Sequence, residues 1–189
     1  RAGRILVFDQ AYVAAGASGR SSGLVRMHYT YPPEIHLALL SLEYFEQWQE
    51  RFGRPSSFRN TGFFRIVPAS QAARLRANVE MQRARGVNTQ VVTREEFCEL
   101  EPGWRLDDVK VAAYEPDSGY ADAATVAGDF LACARERGAG YRLGCRARRL
   151  LIDGGRVMGV ETTDGPLAAP TVVVAAGAWS RRLFAQADI

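Results

Sequence analysis

Near its start the sequence reads Arg4-Ile5-Leu6-Val7-Phe8-Asp9 and then, after a short interval, Gly16-Ala17-Ser18-Gly19-Arg20-Ser21-Ser22-Gly23. An apolar strand that ends in a carboxylate is typical of dinucleotide-binding folds, because the acid accepts hydrogen bonds from ribose hydroxyls. A loop of glycines and serines lets backbone amides approach a phosphate and adds hydroxyl donors. The stretch therefore predicts part of a nucleotide-binding domain, without the Gly-x-Gly-x-x-Gly turn expected about 20 residues before the acid.

Length and composition narrow the class of protein. The 189 residues fit one domain or slightly more, and 47% hydrophobic with 24% charged residues is ordinary for a globular protein. The net charge is +3, and Lys110 is the only lysine among 24 basic residues. The arginines are scattered along the chain and form no stripe that would follow a phosphate backbone, which argues against nucleic-acid binding.

Cysteine and histidine usage points away from disulfides and metal centres. Cys98, Cys133 and Cys145 are an odd number, lie far apart, and match neither a disulfide framework nor a metal-ligand pattern. Cys133 is expected to be a small core residue of a helix. We find no membrane span and no signal peptide in the sequence, and we expect a cytoplasmic protein.

Periodicity predicts four helices. Apolar residues at steps of three and four mark the first and last, and Thr93 with Glu96 forms a capping box for the third. Glycines are the expected C-caps of the others. The predicted ranges are 33–52, 70–85, 94–100 and 123–137.

The strand signals are grouped in the middle and last thirds of the chain. Asp153-Gly154-Gly155 predicts a hairpin, and a wholly apolar segment near the end is typical of a strand buried on both faces of a parallel sheet. The predicted strands are Thr61–Val67, Val91–Val92, Val111–Glu115, Arg148–Ile152, Arg156–Thr162 and Val172–Ala176. We therefore predict an α/β chain (α+β overall) with a partial Rossmann-like nucleotide domain (1–58 and 116–189), a β-meander and an inserted mixed substrate subdomain (59–115).

Four stretches in order resemble the FAD-dependent oxidoreductases of the D-amino-acid oxidase superfamily, in particular sarcosine oxidases and dimethylglycine dehydrogenases. They are Ile5–Asp9, Gly16–Arg26, Tyr114–Asp122 and Val172–Trp179. The resemblance covers nearly the whole chain. The sequence lacks the family's N-terminal pyrophosphate-binding turn and the family's C-terminal third, so we expect a chain truncated at both ends.

The resemblance implies FAD as cofactor and assigns residues to it. Asp9 would bind the adenosine ribose, the loop would wrap the pyrophosphate, and the end of the last strand would approach the cofactor without side-chain bulk. The implied cofactor residues are Asp9, Gly16, Ala17, Ser18, Gly19, Arg20, Ser21, Ser22, Gly23, Ala147, Ala176, Gly177 and Trp179. A solvated acid, a flexible loop and a ligand-free turn are the alternatives for these segments.

Arg26 is the sharpest catalytic-site hypothesis. In sarcosine-oxidase-like enzymes an arginine shortly after this loop pairs with the substrate carboxylate, and a planar guanidinium can bind both carboxylate oxygens. His28 and Tyr29 would lie near the same pocket. His28 is expected to be a structural histidine, and His36 to lie on the surface. A surface or phosphate-positioning charge is the alternative for Arg26.

The function implied is oxidation of an amine or amino acid such as sarcosine, dimethylglycine, glycine or a D-amino acid, with transfer of a hydride equivalent to flavin N5. A partner subunit or homo-oligomer would fit the heteromeric relatives, and no metal is expected. The alternative is a non-catalytic module that binds a nucleotide or assembles with a subunit, which predicts binding without turnover.

Overall fold

The computed structural model describes residues 3–107, 109–185 and 187 of the chain. The chain divides into two compact units, which we call the terminal unit (Arg1–Ser21 with Ala123–Ile189) and the central unit (Ser22–Asp122). Both units mix helices with strands, so the predicted α/β class is confirmed at that level. The segment 59–115 that the sequence marks as an insertion lies inside the central unit.

The helices and strands of the described residues follow one another along the chain. The helices are α1 (Pro32–Glu46), α2 (Trp48–Phe52), α3 (Ala72–Arg83), α4 (Arg94–Leu100), α5 (Ala123–Glu136) and α6 (Ser180–Ala185). The strands are β1 (Leu6–Phe8), β2 (Leu24–Val25), β3 (Arg59–Asn60), β4 (Phe63–Ile66), β5 (Gln90–Thr93), β6 (Val111–Glu115), β7 (Gly119–Tyr120), β8 (Gly140–Arg142), β9 (Ala147–Asp153), β10 (Arg156–Thr162) and β11 (Gly165–Ala168).

The described residues of the terminal unit form two sheets. β1 pairs in parallel with β8, and β9, β10 and β11 form an antiparallel meander. The turn between β9 and β10 has Gly154 at φ 54° and Gly155 at φ 73°. Positive φ at both central residues is the requirement of the tight hairpin turn that suits the twist of β-strands, so the predicted hairpin is confirmed.

The main sheet of the central unit has the order β4-β6-β5, with both neighbours antiparallel to β6. Successive side chains of β6 point to opposite faces, and each face is covered by its own hydrophobic cluster. One cluster contains Val67, Leu75, Val79, Val111 and Ala113, and the other contains Val92, Phe97, Leu106, Val109 and Ala112. Helix α3 therefore covers one face and helix α4 the other, which buries β6 on both sides.

A second small sheet of the central unit has the order β2-β7-β3. Its middle strand requires a glycine, because a Cβ on Gly119 would lie 2.0 Å from the carbonyl oxygen of Arg59. Leu24 is opposite Tyr120 and Val25 is opposite Gly119. Because of this register, Arg26, which follows β2, lies near the turn between Glu115 and Gly119.

The helix ends agree with the sequence in two places and differ in a third. Thr93 and Glu96 form both bonds of the predicted capping box, and Gly53 ends α2 in the left-handed conformation. The prediction of one continuous helix over 33–52 is wrong, because Gln47 leaves the helical region at φ −95°, ψ 19°. Beyond this break, the ring of Trp48 stacks on Phe45 at 5.7 Å.

The predicted buried strand Val172–Ala176 is also wrong for this structure. None of the described strands forms a ladder with this segment, and the side chain of Val173 is 85% exposed. An apolar strand is buried on both faces only where neighbouring strands bond to both of its edges. The sequence pattern reports the apolar character of the segment, but burial depends on neighbours that the described residues do not supply.

Candidate active site and cofactor loop

The segment Arg26–Tyr29 leaves β2 and lies over the buried part of the central unit. Met27 and His28 are buried, with 1% and 7% of their surface exposed, while Arg26 and Tyr29 are half-buried. Met27 belongs to a cluster with Ile35, Leu42 and Val87, so α1 anchors the segment through apolar contacts. The two residues predicted for the substrate site therefore flank two residues that hold the backbone in place.

Arg26 is held between two aromatic rings. Its guanidinium carbon is 5.0 Å from the ring centroid of Tyr29 and 5.6 Å from that of Phe63, both within the range of cation–π attraction. Its Nη1 donates a 2.8 Å hydrogen bond to the carbonyl oxygen of His28. A guanidinium has five N–H donors, so the contacts with described residues leave most of them available to a carboxylate.

A completely buried carboxylate lies below this segment. Glu115 is 0% exposed, and its Oε2 accepts hydrogen bonds from the Met27 amide at 3.0 Å and from the Ser118 hydroxyl at 2.8 Å. Its Oε1 is 3.2 Å from Nδ1 of His28, a close polar contact without the alignment of a hydrogen bond. A buried charge needs such partners, because transfer of an unpaired carboxylate out of water is very costly.

His28 is held from its other side by Asn78. The side-chain amide nitrogen of Asn78 is 3.3 Å from Nε2 of His28. An amide nitrogen only donates, so with Asn78 in this orientation Nε2 accepts and Nδ1 carries the ring proton. In this orientation Nδ1 is the ring nitrogen that faces the Glu115 carboxylate.

Helix α3 supplies a second tie to the segment. Gln82 is fully buried and donates from Nε2 to the carbonyl oxygen of Tyr29 at 2.8 Å. Asn78 and Gln82 are four positions apart, so they share one face of the helix. The two amides of α3 therefore act on consecutive residues of the segment.

Sequence reasoning did not single out Asn78, Gln82, Glu115 or Ser118 as site residues. The available signals were a carboxylate at the end of the apolar run Val111–Glu115 and two amides at an i, i+4 spacing within α3. Each signal is common in surface residues, and only the fold shows that these side chains are buried together. His36 is exposed on α1, as predicted, and His28 is buried and partnered, as expected for a structural histidine.

Asp9 lies in the terminal unit directly after β1. Its backbone amide donates to Arg142 and its carbonyl accepts from Cys145. Its side-chain Oδ1 accepts a 2.8 Å bond from the amide of Ala11, which is the pattern of an Asx turn. The carboxylate is exposed and its second oxygen has no bond to a described residue, so it is available to a hydroxyl of a ligand.

Part of the backbone of the loop after Asp9 forms hydrogen bonds within the loop. The amides of Gly19, Arg20 and Ser21 donate to carbonyl oxygens within the loop, at 2.9, 3.1 and 3.1 Å. The amides of Gly16, Ala17 and Ser18 have no acceptor among the described residues. The amides that can meet an anion are therefore those of the first half of the predicted loop.

Two residues of the loop are explained by its own packing. The side chain of Arg20 donates to the carbonyl oxygens of Ala15 and Gly16, which closes the loop from outside. A Cβ on Gly19 would lie 2.2 Å from the carbonyl oxygen of Ala14. Gly19 is thus required by the close approach of two backbone segments, independently of any ligand.

The remaining predicted cofactor residues of the terminal unit are in three places. A Cβ on Gly16 would lie 3.8 Å from the ring of Trp179, so the loop and the short 3-10 turn Gly177–Trp179 are neighbours. Gly177 has φ 54° and follows the half-buried Ala176. Ala147 begins β9 and is half-buried opposite Thr162.

Ser22 and Gly23 belong to the central unit. Gly23 has φ 70°, and a Cβ there would lie 2.0 Å from the carbonyl oxygen of Ala121. Its own carbonyl accepts a 2.9 Å bond from the Ala121 amide. This glycine is required by the pairing that extends the sheet of β2 and β7.

Comparison with known proteins decides the family. A family model described as FAD dependent oxidoreductase (DAO) matches residues 1–189. The chain belongs to this family. The predicted resemblance to the D-amino-acid oxidase superfamily is therefore confirmed.

The chain is similar to several DAO-family proteins over nearly all of its length. It is 27% identical over 177 residues to sarcosine oxidase subunit beta of Arthrobacter sp, which covers 90% of this chain and 44% of the relative. It is 27% identical to glycine oxidase of Geobacillus kaustophilus, over 98% of this chain and 51% of the relative. The structure of L-proline dehydrogenase from P. horikoshii matches with a TM-score of 0.91 at 25% identity, over 98% of this chain and 50% of that one. The chain thus spans about half the length of these relatives.

The donor set of the terminal unit fits the cofactor of the DAO family. FAD carries a pyrophosphate and a ribose, which need amide or hydroxyl donors and a carboxylate acceptor. The amides of Gly16, Ala17 and Ser18 are unpaired within the described residues, and one carboxylate oxygen of Asp9 is open. The assignment of individual residues to FAD stays a prediction.

Residues 3–107, 109–185 and 187 contain no group of three or more His, Cys, Asp or Glu side chains that could hold a metal ion. None of the helices described is long and apolar enough to cross a bilayer.

Proposed function

We propose that this DAO-family protein oxidises an amine or amino acid that carries a carboxylate, and that Arg26 binds the carboxylate. The observation that carries the proposal is the state of the Arg26 guanidinium. It is half-buried, lies against Tyr29 and Phe63, and uses only Nη1 within the described contacts. A guanidinium that contacts two aromatic rings and keeps unused N–H donors suits a planar anion such as a carboxylate.

The rings beside Arg26 strengthen its attraction for an anion. Tyr29 and Phe63 displace water from the guanidinium, and a charge pair is worth more where water is excluded. The hydrogen bond from Nη1 to the His28 carbonyl fixes the orientation of the guanidinium plane. The substrate would then be oriented by its carboxylate, which fixes its α-carbon relative to Arg26 and lets the free amine react.

The residues proposed to hold FAD are those with the required donors and acceptors. Asp9 would accept from the ribose, and the loop from Gly16 to Gly23 would contact the pyrophosphate. Ala147, Ala176, Gly177 and Trp179 would line the cofactor within the terminal unit. FAD, when bound, supplies the acceptor for the hydrogen and two electrons that leave the substrate carbon.

The experiment that tests the proposal is anaerobic absorption spectroscopy. The purified protein is incubated with FAD, freed of excess, and titrated with sarcosine, glycine, dimethylglycine, L-proline and a set of D-amino acids. We expect retained flavin bands that bleach with at least one of these compounds. Retained flavin that no compound bleaches would overturn the proposed oxidation and favour a module that binds the nucleotide without turnover. A protein that retains no flavin would contradict the assignment of FAD to these residues in this chain.

A further inference from the structure

We propose that Glu115 is the positioning residue for Arg26, which it holds through Met27 and His28. The inference rests on the proposed function, because it concerns how the carboxylate-binding guanidinium is oriented. Glu115 does not contact the guanidinium. It acts on the two residues that follow Arg26, and one of these is the residue to which Arg26 donates.

The first link runs through the backbone. The Met27 amide belongs to the peptide bond that joins Arg26 to Met27, and it donates to Glu115 Oε2 at 3.0 Å. Because a peptide bond is planar, this hydrogen bond also fixes the orientation of the Arg26 carbonyl and restrains the Arg26 backbone. The bond is buried and its acceptor is charged, which makes it stronger than a bond between neutral groups.

The second link runs through His28. Arg26 Nη1 donates to the His28 carbonyl at 2.8 Å, and the His28 ring lies between Glu115 Oε1 at 3.2 Å and the Asn78 amide at 3.3 Å. A ring held on both sides restricts the backbone that carries it. The carbonyl that receives the Arg26 side chain is therefore held in place by the same carboxylate.

The third link runs through Phe63, one of the two aromatic residues that contact Arg26. Phe63 is directly opposite Glu115 in the pairing of β4 with β6. The ring of Phe63 is one of the two that contact the Arg26 guanidinium, at 5.6 Å. The strand pairing therefore places the Phe63 ring, which contacts Arg26, next to Glu115 in the sheet.

The charge of Glu115 is hard to explain by packing alone. A buried carboxylate without a full set of polar partners is costly, so an apolar side chain of similar volume would be the cheaper choice for packing alone. The groups around Glu115 are instead polar: the Met27 amide, the Ser118 hydroxyl, the His28 ring and, beyond it, Asn78. Two of these belong to the segment that follows Arg26, which is the arrangement expected of a positioning role.

The test compares Glu115→Gln with Glu99→Gln, an exposed glutamate of α4 in the same unit. The first measurement is nitrogen-15 relaxation of the Arg26 Nε–H group by NMR in the protein without ligand. We expect Glu115→Gln to raise the mobility of this group and to speed hydrogen exchange of the Met27 amide. We expect Glu99→Gln to change neither. An Arg26 side chain as rigid in folded Glu115→Gln as in the unmodified protein would overturn the inference, whatever the substrate is.

The second measurement is the dissociation constant of the protein for sarcosine, glycine and L-proline, by calorimetry. For the compound that binds, we expect Glu115→Gln to weaken binding by about tenfold, the usual scale for one charge-assisted contact. Adding Arg26→Gln to Glu115→Gln should weaken binding no more than Arg26→Gln does alone. Independent losses in the double variant would show that Glu115 does not act through Arg26.

The two proposals fail in different ways. If Arg26→Gln leaves binding unchanged, or if no compound of the anaerobic titration binds, the proposed function and this inference both fall. If Arg26→Gln weakens binding and Glu115→Gln does not, only the inference falls. Should Glu115→Gln not fold, Ser118→Ala removes one donor to Oε2 and keeps the charge. It should raise Arg26 mobility by a smaller amount, and no change in that variant would overturn the inference.

Discussion

The carboxylate of Glu115 and the imidazole of His28 face each other at 3.2 Å, with 0% and 6% of their side chains exposed. They come from distant parts of the central unit, and the fold buries them together below the segment that carries Arg26. A charge in this position couples the stability of the unit to the geometry of its proposed substrate site.

The buried pair should behave as a unit in a double-mutant cycle of unfolding free energy. We expect His28→Phe and Glu115→Leu each to lower the free energy of unfolding by about 3 kcal/mol, since each leaves a buried polar partner. The double variant should lose at least about 1 kcal/mol less than the sum. Denaturant unfolding gives the free energies, and strictly additive losses would contradict the coupling.

The matched control for that cycle is an exposed pair on the meander. Arg149 on β9 and Glu161 on β10 form an ion pair whose side chains are 60% and 32% exposed. We expect Glu161→Gln to cost no more than about 1 kcal/mol, because solvent screens an exposed pair.

Arg26→Lys tests the shape of the proposed carboxylate site rather than its charge. A lysine keeps the positive charge but loses the planar fork and the faces that stack on Tyr29 and Phe63. We expect KM for the substrate to rise by about tenfold or more while flavin absorption stays unchanged. Arg148→Lys, an exposed change on β9, is the control. Unchanged steady-state kinetics in Arg26→Lys would remove Arg26 from the site.

Gly119 should be far less tolerant of a methyl group than Gly128. A Cβ on Gly119 would lie 2.0 Å from the Arg59 carbonyl oxygen, whereas Gly128 in α5 has nothing within 4 Å of its Cβ position. We expect Gly119→Ala to lower the free energy of unfolding by about 1–3 kcal/mol through overpacking. Gly128→Ala should raise it by up to about 1 kcal/mol, because alanine is the better helix former. Thermal or denaturant unfolding compares the two, and equal effects would contradict this sheet register.

The capping box of α4 offers a local prediction. Thr93 accepts from the Glu96 amide at 3.2 Å, and the Glu96 side chain accepts from the Thr93 amide at 2.7 Å. We expect Thr93→Ala to cost about 1 kcal/mol of unfolding free energy. Ser41→Ala in α1 should cost less, because among the described residues its hydroxyl bonds only to the carbonyl one turn earlier. Denaturant unfolding of both variants measures the difference, and a larger loss in Ser41→Ala would contradict it.

Features set by neighbouring residues were predictable from the sequence. The Thr93–Glu96 box, the turn at Gly154 and Gly155 and the stop at Gly53 each depend on the conformation of two to four adjacent residues. The family was also predictable, because its signal is the order of several short stretches along the chain. Arg26 could be singled out for the same reason, since it lies a few residues after the loop.

Features set by distant residues were not predictable in the same way. Val172–Ala176 has the composition of a buried strand, but burial depends on hydrogen-bonded neighbours that none of the described residues provide. The break at Gln47 follows no proline or glycine and accompanies stacking of Trp48 on Phe45. Glu115 reads as the polar end of a strand, and only the fold brings Met27, His28 and Ser118 around it.

Recognition of the substrate carboxylate by Arg26 is the step on which the proposed oxidation depends. The most direct test is the rate of anaerobic flavin bleaching by a carboxylate substrate and by its neutral carboxamide, in the unmodified protein and in Arg26→Gln. We expect a strong preference for the carboxylate in the unmodified protein and loss of that preference in Arg26→Gln, with bleaching by the carboxamide unchanged. A preference for the carboxylate that survives in Arg26→Gln would contradict the claim.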